Sequence, residues 1–166
     1  MLAHRQTTWG LFRREPALEV DVLKGILEFV AYGVEYESDL YARRVALPSL
    51  RIMLIAQNVA NLQQGVYDYG FEDSGLSRRN NWASRSSMQS IYSLLNQNID
   101  QVSAVLVMVG RLDAVLSSLG GRGIRVMNAE AGMAAQRAYL ATAALSWVRC
   151  SAWIRRTSDQ RNLISR

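Results

Sequence analysis

The side chains of this sequence that could do chemistry are mostly arginines. Nineteen residues are basic and Lys24 is the sole lysine among them, so eighteen guanidinium groups accompany fourteen aspartate and glutamate residues. A guanidinium is planar and permanently charged, and it can bind a phosphate or a carboxylate through two parallel hydrogen bonds. The composition therefore indicates an anionic partner, unless it only reflects a GC-rich genome that favours arginine codons.

Two basic segments have the composition of a nucleic-acid contact. In residues 77–87, three arginines accompany Trp82 and several small polar residues, a mixture that contacts phosphates and can stack on a base. In residues 1–15, arginines alternate with aromatic residues. A solvated surface loop could have the same composition. The basic residues concerned are Arg13, Arg14, Arg78, Arg79 and Arg85.

A glycine-rich segment forms a third candidate. Gly120, Gly121 and Gly123 precede a predicted helix and bring Arg122 and Arg125 to its first turn. Free N–H groups beside a guanidinium could hold a phosphate there. A plain turn between two helices is the alternative, and the sequence favours it.

The residue combinations of common enzyme active sites are missing from the sequence. His4 is the sole histidine and Cys150 the sole cysteine, so one chain cannot form a zinc site of the usual Cys/His type. No Gly-x-Ser-x-Gly motif, no phosphate-binding loop ending in Gly-Lys-Ser/Thr and no dinucleotide fingerprint occurs. We therefore expect a non-enzymatic protein without a catalytic residue, metal, cofactor or small-molecule substrate.

Apolar residues recur at alternating steps of three and four, the period of an α-helix. The segments that show this pattern are 16–41, 48–69, 88–119 and 125–156. We therefore predict an all-α fold, a bundle of four principal long helices within residues 16–157. An extended basic and aromatic N-terminal arm (1–15) and a basic C-terminal tail (158–166) complete the predicted organisation.

The predicted helices have more apolar surface than a bundle of this size should hide, which indicates self-association. The stripe in 88–119 is apolar at nine of its ten heptad positions, and the stripe in 125–156 consists mostly of small residues that allow close helix packing. The residues predicted to mediate contacts between copies are Trp9, Phe12, Val105, Leu112, Ala134, Ala138, Trp147 and Trp153.

Charge is concentrated in the C-terminal part, where residues 101–166 contain three acidic residues and nine arginines. We therefore predict a structural protein that forms a homo-oligomer or a helical or icosahedral assembly and coats nucleic acid, as a virion coat protein does. The alternative is an accessory structural subunit of a large complex, with or without a membrane, whose arginines contact acidic protein surfaces or lipid head groups. A regulatory helical module in the cytoplasm is a third interpretation.

The expected location is a virion or the cytoplasm. Residues 1–15 contain no continuous apolar stretch of the kind found in a signal peptide. Residues 138–154 are apolar but include Arg149, and a charge at mid-bilayer is costly, so we expect membrane association at most and no membrane-spanning helix.

Overall fold

The computed structural model describes residues 15–32, 49–80, 89–90, 98–144 and 150–157, with Asn80 and the last range described by their backbone alone. The fold is α+β, so the predicted all-α bundle of four principal long helices is wrong. The helices are α1 (Val20–Tyr32), α2 (Leu112–Leu119) and α3 (Gly123–Ala144). The strands are β1 (Leu50–Ala56), β2 (Gly65–Tyr69), β3 (Leu76–Asn80), β4 (Ala104–Arg111) and β5 (Cys150–Thr157).

The five strands form one sheet in the order β3-β2-β1-β4-β5. Neighbours in the first four strands are antiparallel, and β5 pairs in parallel with β4. The central strand is β1, where Leu54 is opposite Tyr67 of β2 and Leu106 of β4. Helices α1, α2 and α3 contribute to a single apolar core on one face of this sheet.

Strand β1 replaces part of the helix predicted over 48–69. Its residues alternate between buried and half-buried, and Leu50, Ile52 and Leu54 lie on the buried side. Ile52 and Ile55 are three residues apart and would share a face of a helix, but they lie on opposite faces of a strand. The apolar residues of this segment fit both periods, and pairing with β2 and β4 selects the strand.

The helix predicted over 88–119 is also wrong in most of its described part. Residues of β4 are buried on both faces, and a continuous apolar run of this kind carries no period that could separate a strand from a helix. Residues 89–90 and the end of the segment, α2, are helical as predicted, whereas residues 88 and 91–97 lie outside the described part. Gly120, which has a φ of 58°, ends α2.

The remaining two predicted helices are partly correct. Helix α1 lies within 16–41, of which 33–41 are outside the described residues. Helix α3 covers the first part of 125–156, and β5 occupies its end, where a helix was expected. Small residues of α3 are buried in the main core of the chain: Ala131, Ala134, Ala138 and Ala141.

Two charged residues of α3 are buried and connect it to other elements. Glu130 accepts hydrogen bonds from the Ser49 backbone N–H (3.0 Å) and from the Ser49 hydroxyl. Arg137 donates to the carbonyls of Val30 (3.2 Å) and Ala31 (3.4 Å) near the end of α1. These contacts fix α3 both to the start of β1 and to α1.

A smaller apolar cluster covers part of the opposite face of the sheet. Ile99 and Val102, in and after a short 3-10 turn, pack there on Val105 of β4. Within the ranges that the structure describes, no helix is long and apolar enough to cross a membrane.

Candidate functional site

Three neighbouring strands bring a carboxylate and two guanidinium groups together. Asp68 of β2 accepts hydrogen bonds from Arg51 of β1 (2.7 Å) and from Arg79 of β3, both through its Oδ2 atom. The other carboxylate oxygen, Oδ1, is buried and has no hydrogen-bond partner among the described residues. The contact is therefore a shared ion pair across the strands, with a surplus of positive charge.

Arg78 precedes Arg79 on β3 and therefore lies on the opposite face of the sheet, since it pairs with Tyr67 and not with Asp68. Its guanidinium donates to the Gln63 side chain (2.6 Å) and to the Gln64 carbonyl (2.9 Å). Arg78 and Arg79 are both exposed, as a contact to an anion requires. These two predicted residues are consecutive on β3, and each already makes hydrogen bonds to other residues of the chain.

The group of Arg51, Asp68 and Arg79 can bind an anion, but it contains no evident acid–base catalyst. Arginine stays protonated at any pH at which the protein is folded, so it stabilises charge without transferring a proton. Sequence reasoning missed Arg51 and Asp68. Each is a charged residue within a mostly apolar segment. That it belongs to one face of a strand can be recognised only when the segment is assigned as a strand.

The glycine-rich segment is a turn between two helices, the alternative that the sequence favours. Residues 120–122 form a single 3-10 turn, and the N–H of Gly123 is already bonded to the Gly120 carbonyl. Arg122, at the end of this turn, and Arg125, in the first turn of α3, are both exposed. Whether they contact nucleic acid stays a prediction.

Five of the predicted self-association residues lie in the described part of the chain. Val105, Ala134 and Ala138 are buried in the cores of their own chain, and Leu112 is packed against the same main core. These residues therefore make contacts within their own chain, and a role between copies stays a prediction. For Trp153 only the backbone is described, in β5 opposite Val107.

The other predicted site residues lie outside the described part of the chain, together with nearly all of the N-terminal arm and the whole C-terminal tail. They are Trp9, Phe12, Arg13, Arg14, Trp82, Arg85 and Trp147. Among the described residues, no group of three or more histidine, cysteine, aspartate or glutamate side chains could hold a metal ion.

The solved structures that are similar to this chain include the following two. One is a candidate nitroreductase from Anabaena variabilis, with a TM-score of 0.68 and 21% identity over 85% of this chain. The other belongs to the microcin synthetase McbBCD complex of E. coli with truncated pro-MccB17 bound, with a TM-score of 0.68 and 19% identity over 86% of this chain. This chain spans 29% of the first protein's length and 56% of the second's.

No protein family profile and no curated protein matches the sequence. The structural similarity shows a nitroreductase-like fold, which both enzyme systems use, and it overturns the predicted virion coat or capsid protein that packages nucleic acid. One of the two neighbours works within a multi-subunit complex, which is compatible with partner subunits. That this chain is not an enzyme, and that it binds copies of itself, stay predictions.

Proposed function

We propose that this chain is the fold-bearing part of an oxidoreductase that reduces or oxidises an electron-poor organic group and works together with further polypeptide. The observation that carries the proposal is the match of 85% and 86% of this chain to two enzyme systems, one of them a candidate nitroreductase. Both neighbours are longer than the matched part, since this chain covers 29% of the first and 56% of the second.

Nitro-group reduction requires electrons, which enzymes take from a carrier such as a flavin or a nicotinamide. The described residues do not by themselves form a cradle for such a carrier. The space beside Gly110 is filled by Met127, and the space beside Gly123 is filled by Val115, so these glycines serve helix packing. We therefore derive no chemical step through a carrier, and we assign the described residues a supporting role.

Cofactor titration tests the proposal. The purified protein is titrated with flavin mononucleotide and with flavin adenine dinucleotide, and quenching of flavin fluorescence is recorded. We expect saturable binding of one of them, followed by reduction of a nitroaromatic compound when reduced nicotinamide is added. A heat-unfolded sample is the control for nonspecific quenching.

A second experiment provides the further polypeptide that the proposal requires. The tagged protein is expressed in its native host, isolated with its bound partners, and assayed in the same way. Redox turnover that follows the tagged protein supports the proposal. A folded protein that binds neither flavin, and whose isolated complex has no redox turnover, contradicts it.

A further inference from the structure

Six residues form a surface patch where the end of α1 meets the turn between β2 and β3. We call this surface the acidic aromatic patch, and its members are Glu28, Tyr32, Tyr69, Phe71, Glu72 and Asp73. The turn that carries the last three is well defined, since the N–H of Gly70 donates to the Gly75 carbonyl at 2.9 Å. The side chain of Asp73 also accepts a hydrogen bond from the Gly75 N–H, at 2.9 Å.

The three rings of the patch are arranged edge to face. The centroid of Phe71 lies 6.4 Å from that of Tyr32 and 5.7 Å from that of Tyr69, with interplanar angles of 82° and 80°. Tyr69 is 5% exposed and anchors the group in the core, whereas Tyr32 is 44% exposed. Because the rings stand at right angles, a ring face remains open beside the acidic side chains. Aromatic side chains bind cations over such a ring face.

Three carboxylates belong to the same patch as these rings. Among the described residues, no lysine or arginine forms an ion pair with Glu28, Glu72 or Asp73. Burial raises the pKa of Tyr32, and the Tyr69 hydroxyl and the negative charges of all three carboxylates raise it further. Glu28 lies one helical turn before Tyr32 on α1, and Glu72 and Asp73 directly follow Phe71 in the turn, so the carboxylates and the rings belong to one surface.

The Tyr69 hydroxyl is a buried polar group without a hydrogen bond. It has no partner among the described residues, although the Ser74 side chain lies near enough to oppose part of the increase in its pKa that burial causes. The negative charges of Glu28 and Asp73 add to the increase in the pKa of this hydroxyl. A buried hydroxyl without a partner costs free energy, and a donor from a bound ligand would remove that cost.

We propose that the acidic aromatic patch binds a guanidinium group, presented by an arginine side chain of a polypeptide. A guanidinium stacks its flat face on an aromatic ring while its N–H groups donate to carboxylates and to a phenol oxygen. A lysine ammonium lacks the flat face and is more strongly hydrated, so the patch discriminates between the two cations. This proposal is independent of the oxidoreductase proposal, because it concerns a surface and needs no electron carrier.

Calorimetry with short peptides tests the proposal on the full chain. The probes are a glycine-flanked arginine peptide and the same peptide with citrulline, which has the shape of arginine without its charge. We expect saturable binding of the arginine peptide and about tenfold weaker binding, or none, of the citrulline peptide, because charge-assisted hydrogen bonds are lost. Lysine in the same peptide should bind about threefold to tenfold more weakly than arginine.

Substitutions at the patch locate the binding. Glu28→Gln, at an exposed position, should weaken arginine-peptide binding about threefold to tenfold without unfolding the chain. Asp113→Asn on α2 removes the same charge away from the patch and should leave binding unchanged. Tyr69→Phe keeps the ring and removes the hydroxyl, and it should weaken binding by about threefold or more. Circular dichroism confirms that each variant is folded.

Two results would overturn the proposal: equal binding of the arginine and citrulline peptides, or binding that Glu28→Gln and Tyr69→Phe leave unchanged. Sedimentation identifies the source of the arginine. Self-association that the arginine peptide and Glu28→Gln both abolish identifies a second copy of this chain. Peptide binding by a chain that stays monomeric identifies a different polypeptide.

Discussion

Glu130 shows at the scale of one residue how helix α3 is held against the sheet. Its carboxylate is the acceptor for both donors of Ser49, and the residue is 2% exposed. Replacing Glu130 by alanine leaves both donors without this acceptor in a place that water does not reach. Such a change costs about 1–3 kcal/mol.

We therefore expect Glu130→Ala to lower the free energy of unfolding by about that amount, measured by urea denaturation followed by circular dichroism. Glu130→Gln is the matched control, because its amide oxygen still accepts a hydrogen bond, and it should cost less. Equal losses in the two variants would show that the Ser49 contact does not stabilise the fold.

Tyr69 makes the stability of the protein sensitive to alkaline pH. Burial raises the pKa of Tyr69 above the ordinary value of 10.0, and Glu28 and Asp73 add to this effect. The folded state therefore keeps the phenol proton at a pH where the unfolded state loses it. The resulting stability is complete below pH 10 and is lost as the pH rises through the folded-state pKa.

Tyr69→Phe should remove this contribution. We expect the free energy of unfolding to fall less between about pH 9 and about pH 11 in the variant than in the wild type, with Tyr32 responsible for part of the remaining loss. Denaturant unfolding at several pH values provides the measurement. Parallel pH dependences would exclude Tyr69 as the titrating group.

At the scale of elements, long amphipathic helices were predictable from the sequence and strands were not. The core-facing residues of α1 and the small residues of α3 keep the helical period over many turns, and both are helices. Strands β1 and β4 are short apolar segments, and residues such as Ile52 and Ile55 have the spacing of a helix although they lie on opposite faces of β1. Pairing between strands decides such cases, and a local pattern contains no information about a partner that is distant in the chain.

The candidate site was partly predictable for the same reason. Arg78 and Arg79 were identified from composition alone, because exposed arginine doublets are visible in any sequence. The contact of Arg79 with Asp68 was not predictable, since it depends on β2 and β3 being neighbours in the sheet. The same holds for the acidic aromatic patch, whose members come from a helix, a strand and a turn.

Two glycines in α3 have opposite roles, which a pair of substitutions can separate. A side chain at Gly123 would meet Val115, including its backbone oxygen at 2.7 Å, whereas a side chain at Gly132 would meet nothing within 4 Å. Gly123→Ala should cost about 1–3 kcal/mol through steric overlap. Gly132→Ala should gain about 0.5–1 kcal/mol, since alanine loses less backbone entropy in a helix.

Thermal unfolding followed by circular dichroism compares the two variants with the wild type under identical conditions. We expect a lower midpoint for Gly123→Ala and a slightly higher one for Gly132→Ala. A decrease of similar size in both would indicate that α3 is crowded along its whole length, in conflict with the packing described here.

At the scale of the whole molecule, the fold is shared with enzymes whose sequences are only 21% and 19% identical to this one. A fold tolerates such divergence because its core needs apolar residues of about the right volume, not particular ones. Catalytic motifs along one sequence therefore do not reveal this structural similarity. The similarity lies in the sheet order and in the helices packed on one face of the sheet.

The distinction between a core and an assembly surface gives the last prediction. Val105 was predicted to join copies of the chain, yet it is 0% exposed, enclosed by Ile99 and Val102 on the sheet face opposite the helices. A carboxylate at this position would be buried without a partner, and such a change destabilises a protein severely. Val105→Asp should therefore unfold the chain.

Leu116→Asp is the control, because Leu116 is 37% exposed on α2 and a carboxylate there stays in water. We expect it to remain folded, with a loss of less than about 1 kcal/mol. Circular dichroism and light scattering measure folding and particle size in the same samples. A Val105→Asp variant that kept its helical and strand signal while its particles became smaller would place Val105 between copies of the chain, contrary to its position beneath Ile99 in this fold.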